Sequence, residues 1–598
     1  MRADLMRRYW PSKAFESEPE DELAARVRGA LAGTPQEWRW RRSDVWICVT
    51  PAGAQLPPQG WKLHISATSR SARDVLGSVV PILIGEGVAF KFAANRERVA
   101  ALNASDTPRQ AAGKFITVYP FDDAQAVRLA HACDRATGAL AGPAILSDRP
   151  LRRGSLVHYR YGAFAGSGIF NNDGEFVDVI HDPEGRPVPD ERRAWFTPPV
   201  WAADPFAPAP PDPQEGHGDG AAARPPRAGV PVLLNNRYVV RHALKHANKG
   251  GVYLAEDRAT GATVVIKEAR PHVEAWALPG GTGDAAGVLR HEARVLDLVA
   301  DLGRTPRLLD LFEHQGHLFL ALEHLDGEVL RDHVARRVED TGCGLGTGEL
   351  LATVRRLAAM MEALHGAGVL LADFTPNNVM VLPGGELRLI DLELAHPLAD
   401  GPAPRTGAGT PGFSSPEQME GRPSGLPDDY YALGATVAYA ATGAAPDLIP
   451  DTGGDRPAGE RLREWIAGAE LDGLVTARVC DLVLGCMAGD PARRWGPRDV
   501  LAAVEQRRSG CCAHEPATVS RTELAEAVDH INRWLARTVD PGGRYLWPTT
   551  GYGLRSDPCN VQYGAGGVGL YLCEAARMAA RAEGRAAALD LVRIAAQW

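Results

Sequence analysis

A multidomain α+β protein is predicted by three features of the sequence. These are its length of 598 residues, a Pro-, Ala- and Gly-rich seam between Pro198 and Pro231, and strand-like runs that precede helical ones after that seam. One hydrophobic core cannot serve a chain of this length, so several domains are expected. Apolar residues make up 45% of the chain and charged residues 23%, the balance of folded domains rather than of disorder.

Before the seam, the runs VWICVT, WKLHIS, FKFA, KFITVYP and SLVHYRYGAF read as strands, and AQAVRLAHACDRAT as a helix. Residues 1–200 are therefore expected to form an α+β domain. Residues 201–231 hold few large aliphatic side chains, cannot bury a core, and read as an extended linker. Residues 232–508 open with the strand-like RYVVRHAL, GVYLAED, ATVVIKEA and HLFLALEHL. They continue with the helical LLATVRRLAAMMEALHGAG and DDYYALGATVAYAATG. A small β-rich lobe ahead of a larger helical lobe is implied. After a second boundary at RRSGCCAHEP, residues 516–598 carry the amphipathic helices RTELAEAVDHINRWLARTV and GVGLYLCEAARMAARA.

The formal net charge is −9 and no large basic block occurs, which argues against nucleic acid as a partner. The N-terminal MRADLMRRYWPSK has no apolar core for a signal peptide, and no apolar run is long enough to insert in a membrane. Nine cysteines occur without a CxxC pair, the usage of reduced thiols in the cytoplasm. Cys511, Cys512 and His514 are the nearest thing to a cluster.

The middle region carries charged residues in a fixed order. Lys267 lies in TVVIKEA and Glu292 in LRHEARVL; Asp373 opens DFTPNN, which ends at Asn378; Asp391 follows the strand-like LRLI. With GTPGFSSPE at 409–417, Asp429 in DDYYALG and Arg494 in DPARRW, this order resembles the protein kinase family over residues 235–505. The resemblance implies ATP or GTP with Mg²⁺ as cofactors. It implies that Lys267 holds nucleotide phosphates and pairs with Glu292. Asn378 and Asp391 would bind Mg²⁺, and Asp373 would accept the hydroxyl proton of the substrate. The chemistry needs such groups, because phosphoryl transfer is mainly charge stabilisation and alignment, and hard oxygens suit Mg²⁺.

Departures from the family pattern are also present. In the loop that covers the phosphates, Gly250 and Val252 remain, but Lys245 and Ala247 occupy the first two glycine positions. Either the cradle is looser or Lys245 adds charge to it. Leu371 and Ala372 precede Asp373, where the family usually has His and Arg. Thr375 stands where many protein kinases have a Lys near the γ-phosphate, and Leu392 and Glu393 replace Phe and Gly after the metal-binding Asp. A pseudokinase that only binds peptide is the alternative, opposed by the survival of Lys267, Asp373, Asn378 and Asp391 together.

In the first domain, cations recur on strand-like segments. Lys62 and His64 share a strand face in GWKLH, and Lys91 lies in VAFKFAA. Arg109 and Tyr119 lie in RQAAGKFITVYP, Arg149 in ILSDRP, and Arg160 in VHYRYGAF. On pattern alone this reads as surface cations with a structural histidine. The KLH pair, the FKF lysine and the Arg-to-Tyr spacing resemble the phosphothreonine lyase family. The wider wording, with GWKLHISAT, FKFAANRERV, GPAILSDRP and YRYGAF, resembles the N-terminal lyase domain of class III and IV lanthipeptide synthetases over residues 40–200. That resemblance implies Lys91 as the base for the α-proton and His64 as the acid for the leaving phosphate. Arg109, Arg160 and either Lys62 or Arg149 would bind the phosphate, and Tyr119 would orient the substrate or assist proton transfer. A free lysine titrates near about 10.4, so a lysine base needs its neighbours' positive charge to depress it.

At the C-terminus, DPCNVQYGAGGVGLYL resembles the start of the lanthionine cyclase domain, an α/α toroid. Only its opening is present, so the chain reads as truncated, and Zn²⁺ is expected only in the absent remainder. Cys559 alone supports no ligand set. The SDRP and LVHYRYGAF wording favours class IV over class III.

The implied function is phosphorylation of Ser and Thr in a leader-bearing ribosomal precursor peptide, followed by phosphate elimination to dehydroalanine or dehydrobutyrine. Thioether cyclisation would belong to a complete C-terminal domain. The rivals are a Ser/Thr protein kinase with a regulatory N-terminal domain and a catalytically dead peptide-binding scaffold. Because Ala372 replaces the arginine that docks a phosphorylated activation loop, phosphatase treatment of the purified protein should leave phosphoryl transfer unchanged. A radiolabel transfer assay before and after treatment checks this.

Overall fold

Sequence alternation resolves into sheet faces in the computed structural model. It describes residues 21–43, 45–105, 107–164, 168–170, 176–190, 193, 195–207, 232–274, 283–403, 409–448, 457–471, 476–506, 520–550, 553, 558–561, 564–578 and 582–598. The predicted cluster of Cys511, Cys512 and His514 lies outside the described residues.

The N-terminal domain is built on a seven-stranded antiparallel sheet. Its strands are β1 (Trp38–Arg42), β2 (Trp46–Pro51), β3 (Gln59–Ile65), β4 (Ala89–Ala93), β5 (Ile116–Tyr119), β6 (Arg149–Pro150) and β7 (Val157–Ala163), in the order β1-β2-β4-β5-β3-β7-β6. Helices α1 (Glu22–Ala32), α2 (Ala72–Gly85), α3 (Arg96–Asn103) and α4 (Asp123–Thr137) supply the apolar partners. Leu23, Val27, Val75, Leu76, Val79, Leu129 and Cys133 from α1, α2 and α4 share one core with Ile47, Val49, Leu63, Phe90, Phe92, Ile116, Val118 and Val157 from the strands. The period of two along each strand buries those residues and sends their neighbours to the opposite face. Asp122 and Asn95 cap α4 and α3, accepting from the backbone N–H of Gln125 and Arg98. A small sheet of β8 (Gly168–Phe170), β9 (Phe176–His181) and β10 (Pro187–Pro189) follows.

Residues 195–207, assigned largely to the linker on composition, pack back on the first domain. Phe206 stacks on Tyr159 at 4.0 Å between ring centroids, and the Trp61 indole N–H donates to the Ala203 carbonyl at 3.1 Å. Phe196 and Phe206 of WFTPPVWAADPF pack on Trp61 and Tyr159, whereas Trp195 and Trp201 stay exposed.

The second unit begins with a six-stranded antiparallel sheet in sequence order except at its far edge. It comprises β11 (Val232–Leu234), β12 (Tyr238–Ala247), β13 (Gly250–Asp257), β14 (Thr263–Ala269), β15 (Leu308–His314) and β16 (His317–Glu323), with β16 between β14 and β15. Tyr238, Val264, Ile266, Phe312 and Phe319 fill one side of it. Helix α5 (Ala285–Leu298), capped by Asp284, packs on the other. A helical lobe follows, centred on α6 (Thr347–Gly366) and α7 (Leu426–Thr442), whose Leu357, Met361, Leu364, Leu433 and Val437 are buried together.

The loop before Asp373 is held from below. The Asp429 carboxylate, on α7, accepts from the backbone N–H of Leu371 and Ala372 and from His365 Nε2, each at 2.8 Å. Ala372 has φ 61, a left-handed conformation that a non-glycine residue adopts at a cost. These three hydrogen bonds hold it there.

The two units meet at the tip of the β12–β13 hairpin. Asn248 Nδ2 donates to the Ala104 carbonyl at 2.8 Å, and Arg270 Nη2 donates to the Ala144 carbonyl at 2.6 Å. Arg270 also donates to the carbonyl and side-chain oxygens of Asn248 at 2.8 and 2.9 Å. The Ser69 backbone N–H donates to Glu274 at 2.6 Å.

At the C-terminus, helices over Arg521–Thr538, Ala565–Met578 and Ala582–Gln597 bury Leu535, Trp547, Leu572 and Leu591. No helix among the described residues is long and apolar enough to cross a membrane.

Asp429→Ala should strand two buried backbone donors and the His365 ring. The expected cost is about 3 kcal/mol, at about 1–3 kcal/mol for each unsatisfied buried group. A lower urea midpoint for the transition of the helical lobe, with an unchanged slope, is the measurement that checks it.

Candidate active sites

The cleft between the two lobes gathers charges from five segments. Lys267, on β14, donates to Glu292 of α5 at 2.6 Å and lies 3.3 Å from an Asp391 oxygen. Burial works against the charge on Lys267, but Asp391, Glu292 and Glu393 outweigh it and hold its pKa above the ordinary lysine value. Val252 lies opposite Lys267 in the β13–β14 register. Gly250 has φ +149, and an added Cβ would meet the Glu268 carbonyl oxygen at 1.9 Å, so only glycine fits this close strand crossing.

Asn378 turns its amide nitrogen to Asp373, donating to the side chain at 2.8 Å and to the carbonyl at 2.9 Å. The Thr410 hydroxyl donates to the other Asp373 oxygen at 2.9 Å. Burial pushes Asp373 up to about 6, against those hydrogen bonds and with help from the nearby Asp391 and Glu393 charges. Burial opposes ionisation of Asp391, yet Lys267 and Lys249 hold its pKa below the carboxylate range. No cluster of three or more His, Cys, Asp and Glu among the described residues offers a site for a metal. One ionised carboxylate and one amide oxygen fit Mg²⁺, which keeps water and takes its remaining ligands from phosphates.

Lys245 lies in line with Val252 and Lys267 across the sheet. It is exposed on β12 opposite Val252. Lys249, at the hairpin turn, pairs its ammonium with Glu393. Motif spacing pointed to the loop positions and not to the turn itself.

In the first domain the polar sheet face carries most of the predicted set. Lys91 lies opposite Thr117, Thr117 opposite His64, and His64 opposite His158. Strands about 4.8 Å apart put Lys91 and His64 about 10 Å from each other on one face. One step along, Lys62 faces Arg160, and Tyr119 follows Thr117 at the same-face spacing. Lys91 rests its ammonium over the Trp46 ring, 4.3 Å from the centroid. Tyr119 packs edge-on to Phe164 at 5.4 Å.

Three acids and bases here escaped the sequence reading. The Asp148 carboxylate is in direct contact with His64 Nδ1, accepts from the Ser147 hydroxyl at 2.6 Å, and lies 3.4 Å from the Lys114 ammonium. Asp190 takes the Arg160 guanidinium at 2.5 Å and the Ala163 backbone N–H at 3.2 Å. Gly162 makes room for it, since a Cβ there would meet both Asp190 oxygens and the Lys62 stem within 3.1 Å. Lys62 itself donates to the Ala163 carbonyl at 2.8 Å. Asp148 lies in the same SDRP string as Arg149, the one signal available.

Burial pushes His64 down to about 3, against the raising pull of Asp148 and with Lys114 and Lys62 adding to the fall. Burial opposes ionisation of Asp148, but Lys114 and His64 hold its carboxyl well below the usual range. The pair therefore rests as a carboxylate against a neutral imidazole. His158 is likewise pushed down to about 4 by burial.

Two predicted phosphate ligands lie elsewhere. Arg149 pairs across β6–β7 with Tyr159, which faces the helices, and so points away from Arg160. Its guanidinium is held by Asp204 at 3.1 Å and lies over the Phe196 ring. The cause is parity: odd and even positions of adjacent strands exchange faces. Arg109 lies at the seam with the second unit, where its charge acts on Tyr253 and Arg270. Its Nε is buried without a hydrogen-bond partner.

Residues 26–218 match the RamC N-terminal domain family and residues 238–504 the protein kinase domain family. The chain has the lyase–kinase architecture of the lanthipeptide synthetases. It is similar to the probable SapB synthase of Streptomyces coelicolor, 36% identical over 419 residues, which covers 69% of this chain and 43% of that protein. A serine/threonine-protein kinase of Corynebacterium efficiens is 27% identical over 321 residues, 52% of this chain and 58% of its own. Sperm motility kinase 2B of Mus musculus is 28% identical over 211 residues, 35% and 40% of the two chains. The chain thus spans less than two thirds of each of these relatives.

An unfolded chain binds protons at His64 and His158 below about pH 6.5, whereas the folded chain refuses them until about pH 3 and 4. Their contribution to stability is therefore full above pH 6.5 and is lost as the pH falls toward those values. Urea unfolding of the first domain, followed by tryptophan fluorescence, should show a midpoint that falls with acidification. His64→Asn should flatten that slope.

Proposed function

We propose that the chain phosphorylates Ser and Thr side chains of a ribosomally made, leader-bearing peptide and then eliminates the phosphate. The observation that carries this reading is the pairing of two sites in one chain. One is a cleft with Lys267, Glu292, Asp373, Asn378 and Asp391 set for phosphoryl transfer. The other is a sheet face that presents Lys62, His64, Lys91 and Arg160 together, with a carboxylate already seated on Arg160.

In the first step Asp373 takes the hydroxyl proton of the peptide side chain, and Asn378 holds its carboxylate in line. Mg²⁺ and nucleotide, when bound, supply the phosphoryl group and neutralise its charge. Lys267, fixed by Glu292, orients the phosphates. In the second step the phosphorylated side chain displaces Asp190 from Arg160, next to Lys62. Lys91 leaves the Trp46 ring and takes the α-proton, the C–O bond breaks, and phosphate departs with the electron pair. His64, protonated from solvent once the phosphate has arrived, gives that proton to the departing phosphate. A neutral imidazole can do so only after the arriving dianion raises its proton affinity, which makes the acid available when phosphate is present.

The domain limits proposed are a lyase over residues 1–200, a linker over 201–231, a kinase over 232–508 and the opening of a cyclase over 516–598. Incubating the chain with Mg²⁺, nucleotide and a candidate precursor, then recording peptide mass, tests the reading. A transient phosphate gain followed by a net loss of water is expected. Lys91→Ala should stop at the phosphopeptide, and Asp373→Asn should leave the peptide unmodified, each with a rate loss of at least about 10²-fold. Stable phosphorylation by the unaltered chain would leave the kinase with a regulatory first domain instead.

A further inference from the structure

The β12–β13 turn is fixed at its backbone. The Arg270 backbone N–H donates to the Lys249 carbonyl at 2.7 Å, and Arg270 and Ala104 hold Asn248 beside it. Gly250, after it, sits in a conformation closed to other residues. The Lys249 stem therefore starts from a set point above the cleft. Its ammonium pairs with Glu393, in the field of Asp391 and of Lys267. Below, Thr375 is buried and uncharged, two positions after the residue that accepts the proton.

We propose that Lys249 is the cation that binds the transferable phosphate of the nucleotide, supplying from the hairpin turn the charge that Thr375 does not supply from the loop. This rests on the kinase half of the function proposed above. In the transfer, the substrate oxygen bonds to the terminal phosphorus while its proton goes to Asp373. The bond to the bridging oxygen breaks, and that oxygen leaves with the electron pair on the nucleoside diphosphate. Lys249 meets the charge on the phosphoryl oxygens, and Glu393 is the counter-ion that parks it between turnovers. A charge-assisted hydrogen bond to a phosphoryl oxygen is the strong kind.

Affinity separates this role from a structural one. Calorimetry on the full chain with Mg²⁺ would compare the nucleoside diphosphate with its β,γ-imido triphosphate analogue, in adenine and guanine forms. Lys249→Met, and Lys249→Gln as a second neutral variant, should weaken the triphosphate analogue at least about tenfold and the diphosphate less than about threefold. Glu393→Gln should leave the triphosphate affinity unchanged or raise it, because it removes the competitor. Equal losses for the two nucleotides would overturn the proposal, as would parallel weakening in Lys249→Met and Glu393→Gln, the sign of a strut. If the unaltered chain bound neither nucleotide, the kinase reading itself would fall. An unaltered chain that binds both, with neutral variants of unchanged preference, would sink the Lys249 role alone.

Discussion

A guanidinium buried between two domains organises this chain. Arg270 ends the strand that carries Lys267 and satisfies its donors on the Asn248 and Ala144 oxygens. Burial lowers its pKa to about 10, so the contact costs solvation that those oxygens must offset. On one side it fixes the hairpin turn over the phosphoryl-transfer cleft. On the other it fixes the 144–148 segment, from which the Ile145 backbone N–H donates to His158 Nε2 and Asp148 meets His64. The two sites are thus built against a common post, and neither hairpin nor segment has to be ordered by substrate.

The sheet faces and the kinase cleft were legible in the sequence because they rest on local rules. Period-two alternation placed Lys62 and His64 on one face, the lyase resemblance joined Lys91 and Arg160 to them, and motif order placed Lys267, Glu292, Asp373, Asn378 and Asp391 in one cleft. Arg149 was misplaced because parity across β6–β7 depends on register, which residue types do not announce. Asp148, Lys114 and Asp190 went unread for another reason. Each reaches its partner from a loop or strand end remote in sequence, and one acidic residue in a loop carries no period. Lys249 went unread because it occupies none of the glycine positions 245, 247 and 250 on which the resemblance rests.

The departures from the kinase pattern have local compensation. Where the usual His and Arg are replaced by Leu371 and Ala372, the Asp429 carboxylate still receives both backbone N–H groups, and His365 from α6 completes it. Arg494, donating to Glu417 at 2.9 and 3.0 Å and to the Ala488 and Pro427 carbonyls, ties the end of the activation segment to the helical lobe. That scaffold is charged at its centre, so removing any one member leaves an uncompensated buried group.

Asp190 in the grip of Arg160 has a consequence for selectivity. A tethered carboxylate is present at high effective concentration, so any visitor to that seat must outbid a monoanion that never diffuses away. A bare hydroxyl brings no charge and cannot; a phosphate dianion brings twice as much. Under the proposed function the seat would read whether a side chain has been modified before the chemistry is offered to it, and order of events would be a property of the fold rather than of timing.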